Sequence, residues 1–340
     1  MLIRISKIIC FCLLLYFPPL ALAQEKEDEG IALRSGTTQR TTRVRRKPAA
    51  SQRVVSVLQP NTKVRIISPE LRRGFYRVIL SKGRQGYVRA RDVRLEQPLS
   101  SMTETNTILA ARTNPPCANT LGDCEDSGCA SPGSAHAILN EAKRHFPTDT
   151  SARLLTFADF QSLQDQTDEV VDQGSQMDDR SVLRGFTVSS GTVGEGSLVK
   201  IVGFIAEGSV PHPNTGESVN CRFTESGNND FHISLAPRPT GTEFQGIVVE
   251  MIPQARPAGW TIKKLKKAKT NRRLVMAIGG IFYDNLHVVN KDPSDPLRGQ
   301  PKRFSLWEVH PITRFFVCER ANNACSPNNL SQWTKLEDFQ

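Results

Sequence analysis

At 340 residues the chain is too long for one ordinary domain and suits two, and a 38% hydrophobic content is enough for packed cores if polar residues gather in connecting segments. The formal charge of +10 favours anionic partners, but the excess is not held in one block: part lies in Arg40 to Lys47 and part in Lys263 to Arg273.

Residues 1–23 carry a basic start (Arg4, Lys7), an apolar run and the small-x-small end Ala21-Leu22-Ala23. That is the grammar of a secretory signal peptide, cleaved before Gln24. An uncleaved anchor is the alternative, but the run is short for a span and broken by Pro18-Pro19, so no membrane span is expected in the mature chain. Cleavage takes Arg4 and Lys7 and no acid, lowering the charge from +10 to +8.

Residues 24–52 open acidic, turn basic and hold almost no large apolar side chain, so they read as a disordered tether. From 53 to 96 short alternating runs (Val55, Val57, Val64, Ile66, Phe75 to Ile79, Tyr87, Val88) are separated by turn residues such as Pro60-Asn61 and Lys82-Gly83. This is the pattern of a small barrel. Residues 97–116 read as a linker ending in Asn114-Pro115-Pro116.

Residues 117–340 form the second domain, with six cysteines: Cys117, Cys124, Cys129, Cys221, Cys318 and Cys325. An even number in an exported chain reads as disulfides, and the spacings form no CxxC pair for zinc. Six cysteines allow 15 connectivities. Only Cys318 with Cys325, flanking a polar loop, has a local rationale.

Helical spacing appears at 134–146 and 155–163, and 165–180 is acidic and expected to face solvent. Strands are expected at 198–205, 219–223, 230–235, 246–252, 273–283 and 305–318, with one helix at 260–269. Gly191 to Gly196 resembles a phosphate loop but lacks its helix and lysine, so it reads as a hairpin turn. The fold class is therefore mainly β: a small SH3-like barrel plus a larger OB-like β-barrel, or a sandwich, with a few short helices.

Strand side chains alternate between faces. Asp230, His232 and Ser234 thus share one face of their strand, and Glu308 and His310 share a face of the last strand, opposite Trp307 and Val309, so that His232, Glu308 and His310 are expected on one surface of the barrel. Asp284 and His287 fall where a strand yields to a loop, expected at the barrel rim. His232, Asp284, His287, Glu308 and His310 are the candidate catalytic residues, and His232, His287 and His310 the candidate ligands of a divalent metal. One-side-wet strands also alternate in this way without any site. Lys263, Lys264, Lys266, Lys267, Lys269, Arg272 and Arg273 form the densest basic patch. It is either a solvated helix face with Ile262, Leu265 and Ala268 inward, or a surface for an anionic ligand. No G-x-S-x-G, H-E-x-x-H or P-loop is present.

Residues 54–95 resemble the bacterial SH3 (SH3b) family, on Asn61 to Ile66, Gly74 to Val78, Gly83, Gly86-Tyr87-Val88 and Val93 to Leu95, with Tyr87 where the family has tryptophan. The resemblance implies targeting or spacing, with cell-wall peptide or glycan as partner. The remainder resembles an uncharacterised exported bacterial family through its DFHIS, VVEMIPQ, FYDNLH and WEVHP stretches, which implies a shared module and says nothing about its chemistry. The chain is expected to be a secreted or periplasmic envelope-associated binding protein. The alternative is a metal-dependent hydrolase, a phosphoesterase or nuclease, working from the His and carboxylate face.

Overall fold

The computed structural model describes residues 33–96, 115–213 and 216–340. The expected signal peptide, the start of the tether and nearly all of the linker lie outside the described residues.

Seven strands make the first unit: β1 (Arg34–Thr38), β2 (Thr42–Arg45), β3 (Val54–Leu58), β4 (Lys63–Arg72), β5 (Phe75–Ile79), β6 (Gln85–Arg89) and β7 (Val93–Leu95). They form one antiparallel sheet in the order β3-β2-β6-β5-β4-β1-β7. Val44, Val64, Ile66, Tyr76, Val78, Val88 and Val93 fill its core. Lys82 and Gly83 both take positive φ (62° and 61°), as the primed turn of a tight hairpin requires. β1 and β2 correct the sequence reading, which placed 24–52 in a tether. Their inward positions are threonines as well as Val44, and buried hydroxyls are satisfied internally: Thr38 Oγ1 donates to the Gln59 carbonyl at 2.6 Å and Thr42 Oγ1 to Asp92 Oδ2 at 2.8 Å. Satisfied threonines bury without cost in unmade hydrogen bonds, and composition alone undervalues them.

The second unit contains α1 (Ala135–Lys143), β8 (Arg153–Leu155), α2 (Phe157–Thr167), β9 (Phe186–Val188), β10 (Gly191–Val193), β11 (Leu198–Ile205), β12 (His212–Pro213), β13 (Phe231–Ala236), β14 (Ile247–Met251), α3 (Ile262–Thr270), β15 (Leu274–Tyr283), β16 (Trp307–Val317) and β17 (Thr334–Lys335). Ser134, Thr156 and Thr261 cap the three helices. Strands β13, β14, β16, β15 and β11 pair in that order, and β11 pairs back to β13, closing a five-stranded barrel. β14 and β16 run parallel, the other pairs are antiparallel, and α3 joins β14 to β15. This is the OB connectivity rather than a sandwich. Gly279 marks a tight corner: a Cβ there would lie 2.1 Å from the Pro311 carbonyl, between two register shifts in the β15–β16 pairing.

Two expectations in this unit are corrected. Residues 219–223 are not a strand, because a 3-10 turn (Ser218–Asn220) is followed by positive φ at Cys221 and Arg222. The acidic stretch 165–180 is not uniformly solvated, since Thr167, Val171, Gln173 and Arg180 are buried. Gly191 begins the second strand of the β9–β10 hairpin. Three disulfides are present, Cys117–Cys129, Cys124–Cys221 and the expected Cys318–Cys325. Among the described residues no helix is long and apolar enough to cross a membrane.

The two units are joined by specific contacts. Leu33, Ile67 and Ile79 pack with Val288 and Leu297. Asp295 accepts from the Tyr87 hydroxyl and Arg72, and Gln85 Nε2 donates to the Val289 carbonyl at 2.8 Å.

Candidate functional site

β14 lies between β13 and β16, and this placement assembles the polar cluster. In the β13–β14 register His232 faces Glu250, and in the β14–β16 pairing Val249 faces Val309, which sets His310 beside Glu250. Phe231, Ile233, Val249, Trp307 and Val309 occupy the core on the opposite face. Alternation therefore does send the ionisable residues of three adjacent strands to one side.

That side is covered rather than washed by solvent. Asp230, Glu250, Asp284, Arg303, Glu308 and His310 are all buried. His232 Nε2 meets Glu250 Oε1 at 2.8 Å, and His310 Nδ1 lies 3.1 Å from Glu250 Oε2 and 3.7 Å from Glu308 Oε2. Arg303 bridges the next pair, contacting Glu308 and reaching Asp284 Oδ2 at 2.6 Å. Asp284 Oδ2 in turn lies 2.5 Å from His287 Nδ1. The cover includes the 218–220 turn, whose Asn220 Nδ2 donates to Asp230 Oδ1 at 3.0 Å and to Glu217 Oε2 at 3.1 Å. A cavity of about 20 Å³ remains, lined by residues including Lys143, Glu217, His232, Glu250, His287 and Arg303. It holds one water or one ion and no substrate.

Burial opposes every charge here, and neighbours decide the outcome. Burial would raise Glu250, but His232 and His310 outweigh it and hold the carboxyl well below its usual range. Burial and the Glu250 charge together push Glu308 up despite Arg303. Burial would lower His310, yet Glu250, Glu308 and Asp230 push the imidazole up to about 10. Asp284 is held well below its usual range by His287 and Arg303 against the effect of burial.

All five candidate catalytic residues, His232, Asp284, His287, Glu308 and His310, thus join one network. The proposed three-histidine metal set does not. Among the described residues, the cysteine-free group whose ligand atoms lie mutually within 4.8 Å is Asp230, Glu250 and His310. His232 is engaged by the other Glu250 oxygen, and His287 sits beyond Arg303 on Asp284. Asp284 and His287 are buried, not at an open rim. Sequence reasoning left out Glu250, Asp230, Arg303 and Glu217 as site residues. Glu250 is the one charge in the apolar run Ile247–Met251, a signal that was available. Arg303 comes from a loop and had none.

A second concavity lies between the two units. A cleft of about 410 Å³ is lined from the first by Arg46, Arg77, Lys82, Arg84, Gln85 and Tyr87, and from the second by Gln161, Gln164, Asp165, Asp168, Gln173, Lys291 and Asp292. The basic helix α3 buries Leu265 and Ala268, with Ile262 packed against the core, as its spacing predicts. Two of its lysines are engaged, Lys264 with the Glu337 carbonyl and Lys269 with that of Ser209.

No family model matches the chain, and no curated protein matches it.

Proposed function

We propose that the chain is an exported, envelope-associated binding protein that takes a polar ligand in the cleft between its two barrels. The observation that carries this reading is the cleft. Its volume of about 410 Å³ falls within the range of small-ligand pockets, roughly 300–1,000 Å³, which favour domain interfaces. Cations, carboxylates and side-chain amides share its walls. That mixture matches a short peptide or amino sugar chain carrying amide groups and both signs of charge, the chemistry of cell-wall peptide. The SH3b resemblance of one wall points to the same ligand. Three disulfides support an oxidising location, secreted or periplasmic.

The hydrolase reading draws on the His and carboxylate network. The cavity there is about 20 Å³, too small for a phosphoester, which favours the binder. An anionic ligand at 263–273 is weakened by the engagement of Lys264 and Lys269.

Calorimetric titration with soluble muropeptides tests the proposal. Arg84 and Lys291 line the cleft and are exposed. Wild type should bind, and Arg84→Ala with Lys291→Ala should weaken binding at least about tenfold, one lost charged contact or more. Equal affinity of the double variant would place the ligand elsewhere, and no heat with any muropeptide would reject cell-wall peptide.

A further inference from the structure

The network contains more hydrogen-bonding capacity than it uses. Asp230 Oδ2, Glu250 Oε2 and both ring nitrogens of His310 are buried without a hydrogen-bond partner. Asp230 spends its other oxygen on Asn220, and Glu250 spends its other oxygen on His232. The four atoms have only ion-pair contacts, 3.1 Å between His310 Nδ1 and Glu250 Oε2 and 3.6 Å between His310 Nε2 and Asp230 Oδ2, and belong to three side chains that are each at most 3% exposed. Leaving such atoms unpaired is costly, so a native cluster of them needs an occupant.

We propose that Asp230, Glu250 and His310 bind one divalent cation in the wall of the OB-like barrel. One ligand atom from each lies within 4.8 Å of the others. His310 Nε2 and Asp230 Oδ2 are 3.6 Å apart. Two ligands bonded at about 2.1 Å with that separation subtend about 118°, near a tetrahedral angle.

One imidazole with carboxylate oxygens and no sulfur suits zinc or manganese, and the shortage of oxygens disfavours calcium, which takes six to eight. The inference is independent of the inter-barrel cleft.

The test uses the full mature chain, stripped with chelator and then dialysed against Zn²⁺ or Mn²⁺, with elemental analysis. One equivalent per chain and a raised melting temperature are expected. Co²⁺ loading should give visible ligand-field bands. Glu250→Gln and Asp230→Asn keep shape while removing charge, and each should lose the bound ion and the bands. Any variant whose circular dichroism departs from wild type is set aside in favour of the other. His287→Gln should retain the full equivalent, which separates this site from a three-histidine one. Less than about one tenth of an equivalent in wild type, or an unchanged equivalent in both carboxylate variants, overturns the proposal. So does a bound ion lost in His287→Gln.

Discussion

The Tyr87 hydroxyl, on the first barrel, donates to Asp295 Oδ2, on the second, at 2.5 Å. The same carboxylate pairs with Arg72 at 2.5 Å and lies 3.4 Å from Arg77. One aspartate thus receives three side chains from β4, β5 and β6 and pins the first barrel to the second.

That contact has an alkaline limit. Burial first, and the bond to Asp295 second, push the Tyr87 phenol up to about 12, against about 10 in the unfolded chain. A group with a raised folded pKa gives its full stabilisation below the unfolded value and loses it as pH rises through the folded one. Tyr87→Phe should therefore be less stable by about 1–2 kcal/mol up to pH 10. The gap should close between pH 10 and about 12. Denaturant midpoints of both proteins across pH 7–12 measure it, and a gap that persists undiminished at pH 12 contradicts the argument.

Arg303 is buried between Asp284 and Glu308. Arg303→Met should cost about 3–5 kcal/mol at pH 7, because two buried carboxylates lose their shared cation. Asp284 has a depressed pKa, so its contribution is present above the unfolded value of about 4 and fades as pH falls through the lower folded value. The penalty of the variant should accordingly shrink below pH 4. Urea unfolding at pH 3 and pH 7 checks both parts, and a cost under about 1 kcal/mol at pH 7 would show that the carboxylates are neutralised another way.

The disulfides should contribute unequally. Cys124–Cys221 closes a separation of 97 residues and Cys318–Cys325 one of 7. Loop-closure entropy then gives about 4.7 and about 2.5 kcal/mol respectively. Paired Cys→Ser variants, compared by calorimetry, should rank in that order, and equal losses would mean that local packing, not chain entropy, sets both.

Much of the second barrel was legible in its sequence because its strands are apolar runs bounded by turn and polar residues. Leu198–Ile205 and the wholly apolar Leu274–Tyr283 fall where those runs put them. The facing of Asp230, His232, Glu308 and His310 followed from strand alternation. What alternation cannot give is the neighbour across the ladder. Glu250 became central only because β14 lies between β13 and β16, a long-range pairing. Nor does it reveal a cover: the turn carrying Asn220 reads as an apolar strand, Val219 to Phe223, until the positive φ at Cys221 and Arg222 bends it over Asp230. Strands β1 and β2 escaped notice because Val44 is their one large apolar inner residue, the others including Thr38 and Thr42.

Asn220, which holds Asp230 in place, is the chain neighbour of Cys221, and Cys221 is fastened to Cys124, 97 positions earlier. The lid over the polar cluster is therefore clamped by a bond that forms only by oxidation, while the five barrel strands need no such bond to pair. Reduction of Cys124–Cys221 should therefore loosen the turn that carries Asn220, and with it the hold on Asp230, before it disturbs the pairing of the barrel strands.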